Sequence, residues 1–128
     1  MGFMSDAILQ IRMKNYDVAT RILSSHLNDP GLKQSSRVTL MEWIGECFTK
    51  LGDRARAAVW FEKAARSTLE CEDIPKFDKR QRAIEDIEKA FDAYSSQDDL
   101  NGIKRIAVIK HSLMDSEWYV PRAAPSAS

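Results

Sequence analysis

The chain has 128 residues, 44% of them hydrophobic and 30% charged, with 19 lysines and arginines against 19 aspartates and glutamates. That length fits one domain, which buries about two-thirds of its unfolded surface. Balanced charge leaves no global field to steer the chain onto nucleic acid, and no apolar run approaches the ~20 residues that span a bilayer, so neither nucleic acid nor membrane is expected as a partner.

Ser5 or Asp6 can cap a first helix running to about Asn15, with Ile8, Leu9, Ile11 and Met13 as its apolar surface. Asp17 opens a second, carrying Val18, Ala19, Ile22, Leu23 and Leu27. Asn28, Asp29, Pro30 and Gly31 end it, because proline and glycine both resist helix continuation. A third helix runs from Leu32 or Ser35 to Lys50, and Leu51-Gly52-Asp53 turns into a fourth that reaches about Cys71. Pro75 marks the next break, before a long fifth helix with Phe77, Ile84, Ile87, Ala90, Phe91 and Tyr94. Ser95 to Asp98 form a turn, Asp98 or Asp99 caps the sixth helix, and Leu100, Ile103, Ile106, Ile109 and Leu113 follow at helical spacing. Valine and isoleucine recur every third or fourth position instead of alternating, so no strand is expected. The reading is an all-α domain over residues 1–120, followed by a small-residue tail over 121–128 that cannot bury a core and is expected to be disordered.

The most patterned stretch lies between Met41 and Ala64. Ile44-Gly45, Phe48, Leu51-Gly52, Ala57, Phe61 and Ala64 place small residues where two helices cross closely and large ones beside them. In spacing it resembles a tetratricopeptide repeat. Met41 stands where the family favours tryptophan, and Leu69 where it favours a helix-stopping proline. Ala7, Ala19 and Leu23 fit the same offsets 38 residues earlier, against a family period of about 34, with the Asn28–Lys33 loop absorbing the difference. Ile87, Ala90, Tyr94 and Ile103 fit a third unit, in which Phe91 takes a small-residue place and Ala107 an aromatic one. The resemblance implies a right-handed array of three helix-turn-helix hairpins, an α-solenoid that serves as a protein-binding adaptor, scaffold or chaperone-like module. A fainter likeness, carried by Ile22-Leu23-Ser24-Ser25 and the Met41–Ala64 hairpin, is to the amino-terminal blocks of the repeat subunits of the anaphase-promoting complex. It implies a structural subunit working by self-association.

In that family the first helix of each hairpin lines a concave groove. The resemblance therefore places Thr39, Glu42, Glu46 and Thr49 there from the middle hairpin, and Glu85, Glu88 and Asp92 from the third. Each set shares one helix face, and a groove so lined favours a basic or amide-rich peptide; the bland alternative is a solvated acidic face. The lysines and asparagines that clamp a C-terminal carboxylate in chaperone-adaptor members are missing, so that ligand is not expected. Met4, Ile8 and Ile11 bring apolar surface to the same side of a terminal unit, where a polar face is usual. Either the amino-terminal segment packs back on the body, or this surface is a self-association or partner interface. Trp60 either packs between hairpins or stands exposed as an anchor, and Trp118 either caps the core or belongs to a docking segment.

Nothing points to an enzyme, a cofactor or a metal. The only histidines, His26 and His111, lack a nucleophile–base arrangement nearby. Phosphate-loop, HExxH and paired-cysteine motifs are missing. Cys47 and Cys71 read as free thiols of a reducing compartment. The start, with Met4 as a second candidate initiator, lacks the pattern of a signal peptide. An intracellular, cytoplasmic location is the expectation.

Overall fold

Six helices follow one another in the computed structural model, which describes residues 2–114: α1 (Phe3–Arg12), α2 (Tyr16–His26), α3 (Gln34–Lys50), α4 (Arg54–Glu70), α5 (Lys76–Ser96) and α6 (Leu100–Met114). No strand occurs among the described residues, so the chain is all-α there. Trp118 and the 121–128 tail lie outside them.

The helix ends show which local signals prevailed. α1 opens before either expected cap, on an extended Gly2 with no side-chain cap bond. Packing decides this start: Phe3 and Met4 join a core cluster, and the Phe3 ring stacks on His26 at 4.0 Å between centroids. α1 also stops at Arg12, short of Asn15, because Lys14 takes a left-handed conformation (φ 63) and reverses the chain. Gly52 makes the α3–α4 turn at φ 79, where a side chain would be strained. Asp53 then caps α4, accepting from the Arg56 amide at 3.1 Å. At α6 it is Asp99 that caps, accepting from the Gly102 amide at 3.0 Å, while Asp98 occupies the left-handed turn position (φ 53).

The main helix packing is between consecutive helices. Two clusters form the core. Ala7, Leu23, Leu40 and Ile44 join α1, α2 and α3, with Trp60 of α4 packed against them. Ala58, Phe61, Ala65, Ile87, Tyr94, Ile106 and Leu113 join α4, α5 and α6. Each fully buried leucine or isoleucine contributes about 2 kcal/mol through the water it sheds. Two glycines let these layers close. A Cβ on Gly45 would lie 2.8 Å from the Phe61 ring, and one on Gly102 would enter the Tyr94 ring.

Candidate functional site

Helix α3 has α1 on one side and α5 on the other, and what lies beside it differs between the two. Toward α5 the space is filled by polar chemistry. The Arg82 guanidinium donates to both Glu42 oxygens, at 2.9 and 3.2 Å, and to Thr39 Oγ1 at 2.8 Å. Lys89 Nζ meets Glu46 at 2.6 Å. Arg82, Asp86 and Lys89 follow at i, i+4 and i+7 on α5, so one face delivers all three.

Asp86 is 2% exposed, and its Oδ2 has no hydrogen-bond partner. Burial first, and the adjacent Glu42 carboxylate second, push its pKa up to about 9, so it holds a proton at neutral pH. For Glu42, burial pulls upward, but the facing Asp86 and Arg82 together with the Lys89 charge outweigh it and keep the group ionised. The pair thus shares one negative charge beside two cations.

Toward α1 the space is an open groove of about 420 Å³, lined by Ile8, Ile11, Tyr16, Trp43 and Cys47, with Arg12, Glu46 and Lys50 as its charged lining. Ile8 is 37% exposed. The Cys47 thiol is raised to about 11, by burial first and the Glu46 charge second, so it stays neutral and unreactive. Beyond the groove Leu9 of α1 (53%) and Met13, just after that helix (58%), are exposed.

The residues expected to line one acidic groove therefore separate. Glu42 and Thr39 sit inside the α3–α5 junction, engaged by Arg82. Thr49 returns its hydroxyl to the Gly45 carbonyl at 2.9 Å. Glu46, Thr49 and Asp92 share a depression of about 230 Å³ with Arg54 and Lys89. Glu88 and Asp92 also border a hollow of about 520 Å³ between α5 and α6, together with Phe91 and Lys110. Glu85 is exposed and accepts from Gln81 at 3.1 Å. Of the apolar candidates, Met4 packs into the amino-terminal cluster, whereas Ile8 and Ile11 stay on the groove wall. Trp60 is half-buried against the amino-terminal cluster, with Lys63 Nζ 4.5 Å above its ring.

The sequence reading did not single out Arg82, Asp86, Lys89, Tyr16 or Trp43. It also missed a second polar knot. Glu62, 7% exposed, accepts from Tyr94 at 2.5 Å, Arg66 at 2.9 Å and Arg105 at 3.2 Å, tying α4 to α5 and α6. Burial opposes its ionisation, but bonds from Arg105, Tyr94 and Arg66 prevail and hold its pKa down. Among the described residues no cluster of histidine, cysteine and carboxylate groups could hold a metal ion, and no helix is long and apolar enough to cross a membrane. No family model, no curated protein and no solved structure matches the chain.

Proposed function

We propose that the protein is a binding module of three stacked helical hairpins, arranged as in a tetratricopeptide array, that receives a segment of another protein in the groove between α1 and α3. One observation carries this reading: the groove is open and walled by Ile8, Ile11, Tyr16 and Trp43, where the equivalent space beside α5 is closed by ion pairs. A concave apolar site with few polar groups is the ordinary form of a recognition pocket. Packing between consecutive helices supports a repeat array, as do the close crossings at Gly45 and Gly102. Affinity capture from native lysate tests the reading, with Ile11→Glu as the groove variant. Proteins retained by the wild type and lost by the variant are expected; identical profiles would remove the groove from the function.

A second reading rests on a separate observation. Leu9 of α1 and Met13, just after that helix, are exposed apolar residues, a surface that self-association would cover. On that reading the chain is a structural subunit that joins copies of itself. Sedimentation velocity decides: a concentration-dependent dimer that Leu9→Ser with Met13→Ser disperses supports it, and a monomer throughout removes it.

A further inference from the structure

We infer that the α1–α3 groove selects an acidic segment, one that presents apolar side chains to Ile8, Ile11 and Trp43 and side-chain carboxylates to Arg12 and Lys50. The inference rests on the groove reading and adds the chemistry of the partner. It also reverses the sign expected from α3 alone, whose Glu42 and Glu46 suggest a basic ligand.

The charges around α3 produce the reversal. Of the charged residues lining the groove, Glu46 is the single acid, and Lys89 of α5 meets it at 2.6 Å from the far side. Glu42 is held by Arg82 at 2.9 Å. Both acids of this helix face are thus neutralised within the molecule. Arg12 and Lys50 have no ion pair among the described residues and stand exposed beside the groove. An incoming lysine or arginine would meet two like charges and an occupied carboxylate. An incoming aspartate or glutamate would meet two available cations, next to apolar walls that exclude water and strengthen the attraction. Carboxylates on side chains suffice, because Arg12 and Lys50 come from different helices and do not form a single clamp for one terminal group.

Isothermal titration calorimetry on the full chain tests this with three peptides, acetylated and amidated at their ends. All carry leucine, phenylalanine and leucine at alternate positions, separated by aspartate, serine or lysine. The aspartate peptide is expected to bind roughly tenfold or more tightly than the lysine peptide, a difference of about 1.4 kcal/mol, and to weaken as salt is raised. Arg12→Glu with Lys50→Glu changes exposed residues only and is expected to invert the order. Trp43 emission, read in a Trp60→Phe, Trp118→Phe background, locates the site. If serine and aspartate peptides bind equally and shift Trp43, the groove reading stands and the acidic preference falls. If the lysine peptide binds best, or the double reversal leaves the order unchanged, the inference is overturned. If no peptide binds, both readings fall. A second copy occupying the groove would appear as a dimer that Ile11→Glu disperses, and would also overturn the inference.

Discussion

The two flanks of α3 solve one geometric problem in opposite ways. A space opens beside α3 toward α1 and another toward α5. On the α5 side, Arg82, Asp86 and Lys89 reach across and close it with bonds to Thr39, Glu42 and Glu46. On the α1 side, Ile8, Ile11 and Tyr16 line the gap without filling it. A closed junction ties α3 to α5; an open one leaves apolar surface exposed. On the proposed function the first belongs to stability and the second to recognition, and substitutions should separate the two.

The largest effect is expected at Arg82. Arg82→Met keeps the length of the side chain but leaves Glu42 without the guanidinium that bonds both its oxygens. Loss of one partner from a buried pair costs about 3–5 kcal/mol; with Arg82 at 29% and Glu42 at 18% side-chain exposure, about 3 kcal/mol is expected in urea denaturation. A loss below about 0.5 kcal/mol would mean that the junction does not hold the hairpins together.

Next comes Asp86, through pH. The unfolded chain releases this proton near the ordinary aspartate value of 3.8, whereas the folded protein keeps it until about 9. Its folded pKa is raised, so stability falls as pH climbs through that window, at up to about 1.4 kcal/mol per pH unit. Asp86→Asn removes the proton uptake and should be the more stable protein above pH 7, by about 2 kcal/mol. Parallel stability curves for the two proteins from pH 5 to 9 would contradict the assignment.

How much of this was legible in sequence depends on the range of the signal. The helices were: Pro30-Gly31, Gly52-Asp53 and Pro75 punctuate them, and all three breaks fall where expected. The buried small residues Ala19, Ala57 and Ala64 also announce close packing. The acidic face was misread, because i, i+4 reasoning sees only charges on one helix. Glu42 finds Arg82 forty positions away, and only the placement of α5 against α3 brings them opposite. Arg82, Asp86 and Lys89 at i, i+4 and i+7 were the available signal, since an aspartate between two cations on one face marks a polar seam. Trp43 carried no signal of its own, because it stands directly before the Ile44-Gly45 pair of the repeat pattern.

Lys89→Met should cost less than about 1 kcal/mol in stability, because the Lys89–Glu46 pair is half-exposed. Its consequence lies in the groove: Glu46 becomes an unpaired acid there, so binding of the aspartate peptide should weaken while binding of the lysine peptide improves. The smallest effect on folding is expected from Ile11→Glu, about 0.5 kcal/mol, with loss of peptide binding. A loss of stability comparable to Arg82→Met would show instead that the groove wall is part of the scaffold.

Phe48 packs against both core clusters. Linear arrays held by nearest-neighbour contacts tend to fray from their ends, each unit melting at its own temperature. A ring shared by two half-cores couples them, so that neither can lose its packing without exposing a surface of the other. The heat-capacity peak should therefore be single, and Phe48→Ala should broaden or split it more than its lost area alone would explain. The α1–α3 half of the molecule is thereby kept folded by the α4–α6 half.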